Sequence, residues 1–127
     1  MSSAVLDASA VLALLLGEPG GEAVRHHMTD GRISAVNYSE VLARAAALCG
    51  SPDEARRQVN RHHLTVVPFD TAQAAVVASL LPATRTFGLS LADRACLALG
   101  ISLGVVVVTA DRAWAALDVG VRIVCVR

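Results

Sequence analysis

The sequence predicts an α/β fold in which a central parallel sheet is sandwiched between helices as a three-layer α/β/α arrangement. Short apolar runs alternate with longer helical patterns along the whole chain. Two of the short runs, Ala4-Val5-Leu6 and Val105 to Val108, are apolar throughout, as strands covered on both faces must be. Size agrees: 127 residues, 54% of them apolar and 17% charged, suffice for one cored domain and not for two. Residues 1–127 are therefore read as a single domain.

Each element has a local reason. Ala4 to Leu6 reads as a strand and Ala8 to Leu16 as a buried helix, with the carboxylate of Asp7 at their junction. Gly17-Glu18-Pro19-Gly20-Gly21 cannot continue that helix, and a polar helix, Glu22 to Met28, follows. After the turn Thr29-Asp30-Gly31, Ile33 to Val36 reads as the second strand. Asn37 fits an N-cap, and Glu40 the third helical position of a capping box, for a helix to Cys49. Gly50-Ser51-Pro52 breaks it, and Pro52, Asp53 and Glu54 open a helix to about His62. Leu64 to Val67 is the third strand. Asp70 caps a helix from Thr71 to Leu81, Pro82 ends it, and Ala83 to Leu89 reads as a loop. Ser90 caps the helix Leu91 to Leu103, with Asp93 placed for a second capping box and Gly104 as its stop. Val105 to Val108 is the fourth strand, Arg112 to Leu117 a short helix and Val121 to Val126 the last strand.

Composition excludes several function classes. Eleven basic residues balance eleven acidic ones, so any contact with a polyanion must come from a local patch. Every basic residue is Arg, which reads as the coding bias of a GC-rich genome. The absence of Lys removes any mechanism that needs one, including the phosphoryl site of a receiver-like signalling domain. No apolar run approaches the ~20 residues of a membrane span. Met1-Ser2-Ser3 leads straight into the first strand with no secretory leader, so a cytoplasmic protein without membrane association is expected. Cys49, Cys96 and Cys125 are odd in number and far apart, which argues against a disulfide framework or a zinc site and for small core residues. The pairs His26-His27 and His62-His63 read as solvated surface, Trp114 as a core anchor, and Ser90 as a cap rather than a nucleophile.

Four acids then stand out. In open parallel sheets, ligands bind beyond the carboxyl ends of the strands. Asp7 lies just past the first strand, Glu40 in the first helical turn after the second, and Asp111 three residues past Val108. Asp93 opens a helix that returns to the bottom of a parallel strand and so starts at the top. Taken singly, each acid is well explained as a helix cap. Four caps have no reason to share one edge. Converging carboxylates repel one another unless a cation compensates them, and Mg2+ or Mn2+ prefers oxygen ligands. Ions so held can activate water and neutralise a phosphodiester during in-line displacement, so the pattern points to metal-dependent phosphodiester hydrolysis. Ser9 and Thr109 are hydroxyl donors beside these acids, able to orient carboxylates or water.

Val5-Leu6-Asp7-Ala8-Ser9, Asn37-Tyr38-Ser39-Glu40-Val41, the run Leu89 to Leu99 around Asp93, and Thr109-Ala110-Asp111-Arg112-Ala113-Trp114 together resemble the PIN-domain ribonucleases, above all VapC-type toxins of bacterial toxin–antitoxin pairs. The resemblance spans nearly the whole chain. It implies a strand order 3-2-1-4-5 and a Mg2+- or Mn2+-dependent endoribonuclease acting on single-stranded or loop RNA. Asp7, Glu40, Asp93 and Asp111 match the family's metal-binding and catalytic acids, while Ser9, Asn37 and Thr109 match polar positions that support them. A homodimer and a cognate antitoxin partner are implied as well. Arg94 and Arg112, each directly after a motif acid, are candidates for RNA phosphate contact. The alternative is a PIN-like module without catalysis, kept for binding a protein or RNA partner.

Overall fold

The computed structural model describes residues 3–127, so the expectation of no leader concerns residues partly outside it. Five strands, β1 (Ala4–Leu6), β2 (Gly31–Ser34), β3 (Thr65–Val67), β4 (Val106–Thr109) and β5 (Ile123–Cys125), form one sheet in the order β3-β2-β1-β4-β5. Every pairing is parallel, with Val5 opposite Arg32 on one side and Val107 on the other. The helices are α1 (Ala8–Leu15), α2 (Gly21–Met28), α3 (Ala35–Cys49), α4 (Pro52–Asn60), α5 (Thr71–Ser79), α6 (Leu81–Thr84) and α7 (Leu91–Leu103), with short 3-10 turns at Arg85–Phe87 and Arg112–Ala116. No helix among the described residues is long and apolar enough to cross a membrane.

The two-residue period of a strand divides the core. Ala4, Leu6, Ile33 and Val108 point to one face, where α1, α2 and α4 supply Val11, Val24, Met28 and Val59. Val5 and Val107 point to the other, against Val77 of α5, Leu97 and Leu99 of α7, and Trp114. Both clusters are fully enclosed, which is why β1 and β4 carry no polar residue before their ends. Trp114 is 1% exposed and anchors its 3-10 turn to the sheet, as expected of it. Gly104 ends α7 at φ 66°, a left-handed conformation that an L side chain rarely adopts.

Three local expectations are corrected. The second strand lies at Gly31–Ser34, two residues earlier than expected, and α3 begins at Ala35 because the Ser34 hydroxyl caps it, accepting from the Val36 amide at 3.3 Å. Asn37 is therefore inside the helix rather than its N-cap. Pro82 does not end a helix; it sits in the first turn of α6, where no amide hydrogen is needed. Among the cysteines only Cys96 is buried; Cys49 is exposed and Cys125 partly so, and all are free.

Gly31 marks a close approach that its sequence context hides. A Cβ there would collide with the His27 carbonyl and reach Leu6 Cδ1 at 2.6 Å and Leu64 Cδ1 at 2.8 Å. The carbonyl belongs to α2 and cannot move aside without shifting that helix from the sheet. Gly31→Ala should therefore lower the free energy of unfolding by about 2–3 kcal/mol, read as a fall in urea midpoint at unchanged slope.

Candidate active site

The carboxyl ends of β1, β2 and β4 meet at one edge of the sheet, and Asp7 sits deepest there, 4% exposed. Its Oδ1 accepts from Ser9 Oγ at 2.7 Å and from the Ala10 amide at 2.9 Å, and its Oδ2 from Thr109 Oγ1 at 2.8 Å. The same hydroxyls accept in turn: Ser9 Oγ from the Ala110 amide and Thr109 Oγ1 from the Asp111 amide, both at 3.0 Å. Each hydroxyl has one proton, and both protons go to Asp7. The 3.3 Å approach between Ser9 and Thr109 is then a contact, not a bond, while Asp7 is ionised. Asp7 thus caps α1 and also ties β1 to the loop that carries Asp111.

A second unit joins α3 to α7. The buried Asn37 donates through Nδ2 to Glu40 Oε1 at 3.2 Å and to the Ala92 carbonyl at 3.0 Å, which brings Glu40 beside the first turn of α7. Asp93, in that turn, closes a capping box with Ser90: its Oδ2 accepts from the Ser90 amide at 3.0 Å. Asn37 Oδ1 is buried with no partner, an oxygen left free for a water or cation. Between the two units lies Cys96, whose thiol is pushed up by burial first and then by the charges of Asp7, Asp93 and Glu40.

Asp111 is exposed, caps the turn after β4, and accepts from the Ala113 amide at 3.0 Å. Glu40, Asp93 and Asp111 each hold one oxygen in such a bond, and the other makes none among the described residues. Among those residues, no three His, Cys, Asp or Glu side chains already stand grouped to ligate an ion. The donor set is nonetheless all oxygen, which fits a hard divalent cation in chemistry. Arg112 faces an open groove beside Asp111, whereas Arg94 lies back along α5, with Nη1 3.5 Å from the Val77 carbonyl.

A PIN-domain family profile matches residues 4–120, nearly the whole chain. The chain belongs to the PIN-domain family. No curated protein matches this PIN domain in sequence. Solved structures resemble it in fold: a toxin–antitoxin complex from Klebsiella pneumoniae, at TM-score 0.77 and 17% identity over 98% of both chains; DNA-bound VapBC from Salmonella typhimurium, at 0.73 and 20% over 100% of both; and VapBC-5 from Mycobacterium tuberculosis, at 0.62 and 23% over 100% of this chain and 99% of that one. The sheet order is the one the resemblance implied.

Two side chains at this edge escaped the sequence reading, Arg44 and Arg127, which line a groove with Ser9. A signal existed for the second. The strand-end rule that gathered the acids applies equally to the residues after β5.

Burial is the main reason that Asp7 has a pKa raised from 3.8 to about 6; its hydrogen bonds to Ser9, Ala10 and Thr109 pull the other way, and the charge of Asp93 adds a small push upward. The folded state therefore binds this proton more tightly than the unfolded chain. Asp7's contribution is most favourable below about pH 4 and is lost as pH rises through about 6, a change of about 3 kcal/mol. Asp7→Asn keeps the acceptor for Ser9 and Ala10 and turns an amide toward Thr109, whose proton can then serve Ser9. This variant should equal or exceed the parent in stability at pH 7 without metal, and show a flatter stability profile between pH 4 and 6 in urea titrations. A cap lost outright would instead lower stability at every pH.

Proposed function

We propose that this PIN domain is the toxin of a toxin–antitoxin pair: an Mg2+- or Mn2+-dependent endoribonuclease that hydrolyses RNA phosphodiester bonds. The placement of the acids at one sheet edge carries the reading: Asn37 ties Glu40 to the first turn of α7, which holds Asp93, and Thr109 ties Asp7 to the Asp111 amide. Family membership supports it, since PIN domains are typically nucleases using divalent ions. The toxin–antitoxin assignment draws on neighbours described as toxin–antitoxin and VapBC complexes. A cognate antitoxin, a homodimer and a cytoplasmic location belong to the same proposal.

Asp7, Glu40, Asp93 and Asp111 would hold the cation. Bound there, it would supply the charge that activates water and neutralises the phosphodiester. Ser9 and Thr109 fix the Asp7 oxygens by donating to them, and Asn37 fixes Glu40. Arg112 stands exposed at the groove rim, where a guanidinium fork suits a phosphate.

Purified protein should cleave single-stranded RNA with Mg2+ or Mn2+ and stop in chelator. Asp93→Asn should abolish cleavage while circular dichroism shows the fold retained. Thr109→Val leaves the Asp111 amide unpaired and Asp7 Oδ2 without its donor, and should cost about 10–100-fold in activity or metal affinity. Cleavage that survives chelation would refute the mechanism.

One observation favours a second reading, a PIN-like module that binds a partner without catalysis: no trio of acids is grouped for an ion among the described residues. Thermal melting separates the two. Metal at a hundred times its dissociation constant adds about 2.7 kcal/mol, so a catalytic site should raise the melting temperature in millimolar Mg2+, and a binding module should not.

A further inference from the structure

The acids do not account for everything at the carboxyl edge. Arg127 follows β5 and, because β5 is parallel to its neighbours, ends beside Asp111. Its guanidinium is held: Nε donates to the Pro19 carbonyl at 2.9 Å and Nη2 to Glu18 Oε1 at 3.1 Å. The backbone before it is held too. The Val126 amide donates to the Thr109 carbonyl at 2.9 Å. Gly20, at φ 90°, lies so close to Val126 that a Cβ would come within 2.5 Å of its carbonyl oxygen. Thr109 therefore grips Asp7 with its hydroxyl and the terminal arm with its carbonyl, fixing Arg127 relative to the acid. Of the five N–H donors in a guanidinium, these two bonds use two.

Two grooves share Ser9 and Arg127. One, about 490 Å³ and open, adds Ala110, Asp111 and Arg112. The other, about 140 Å³, adds Arg44 and Glu18. Arg44 is one helical turn beyond Glu40 on α3 and shares its face. Neither Arg44 nor Arg112 forms an ion pair among the described residues. Arg127 is paired with Glu18, so Arg44 and Arg112 are the guanidinium groups in these grooves that carry no ion pair, on a chain with no net charge.

We propose that Arg44, Arg112 and Arg127 form an arc that binds a backbone phosphate of single-stranded RNA next to the one cleaved, with Arg127 as its preset member. The arc deepens the nuclease reading and rests on it. Guanidinium groups beside the acids answer a physical need, since the phosphates flanking the cleaved one carry charge that a cation at the acids would not reach.

The test is binding of a fluorescein-labelled single-stranded RNA to full-length Asp93→Asn protein in Mg2+, followed by anisotropy at several salt concentrations. Arg44→Ala, Arg112→Ala and Arg127→Ala should each weaken binding about tenfold and lower the salt slope by about 0.7. Arg127→Lys should recover the slope but not the full affinity, because the charge returns without the fork. Arg61→Ala, exposed at the end of α4, should change neither. Unchanged affinity and slope in all the arc variants would overturn the proposal, as would unchanged RNA binding with loss of binding to a polyglutamate peptide, which would assign the arc to an acidic protein segment. If the parent chain cleaves RNA and the arc variants bind as tightly as Asp93→Asn alone, only the arc fails. If arginine-dependent binding persists while the parent never cleaves, the arc stands and the nuclease reading fails.

Discussion

Burying the Asp7 carboxylate between β1 and α1 costs solvation that three hydrogen bonds, from Ser9, Ala10 and Thr109, return only in part. Burial therefore raises its pKa despite those bonds. Much else at the edge follows from how those bonds are made. Thr109 can reach Asp7 only if β4 lies beside β1, and Ser9 can accept the Ala110 amide only if the β4 loop folds over α1. One poorly solvated group thus fixes the register of the central strands and the start of the loop that carries Asp111.

The sheet order does the rest. With β1 central and β2 and β4 on its flanks, the residues just beyond three parallel strands open onto one edge. Helix α7 brings Asp93 there because it packs antiparallel to the strands, and Asn37 stitches its first turn to Glu40 through the Ala92 carbonyl. Convergence is therefore a property of the topology and of one amide side chain. No segment of the sequence encodes it alone.

What was legible in the sequence reflects range. The buried strand β1, the caps at Asp70 and Ser90 and the stop at Gly104 rest on local patterns, and the structure has them where the pattern put them, with β4 one residue later than expected, at Val106–Thr109. The start of α3 was misplaced because Asn37 and Glu40 have the composition of a capping box while Ser34, three residues earlier, does the capping. Cys49 was read as core from its residue type, yet it lies on the exposed face of α3, which period alone does not distinguish at a helix end. Of the candidate site, the strand-end positions of the acids were legible, but the hydrogen bond from Thr109 to Asp7 spans 102 positions and the grip of Glu18 on Arg127 spans 109. Such bonds exist only once the sheet is assembled.

The local and the shared roles of the acids, which a sequence sets against each other, are compatible in the structure. Asp93 caps α7 and Asp111 caps the turn after β4, each with one oxygen, while Asp7 caps α1 with one of its two. Carboxylates that share one edge repel one another. A helix N-terminus offers amide hydrogens and a positive dipole end that ease this repulsion. Under the proposed reading, these hydrogen bonds keep the acids ordered without a cation. The oxygen that each of Glu40, Asp93 and Asp111 leaves unbonded is then the one available when a cation arrives. Asp7, hydrogen-bonded through both oxygens with room left on Oδ2, would act as the fixed point, and the three exposed or half-exposed acids as the adjustable ones. A site built this way needs no preassembled trio, which reconciles the absence of one with the chemistry that the donor set permits.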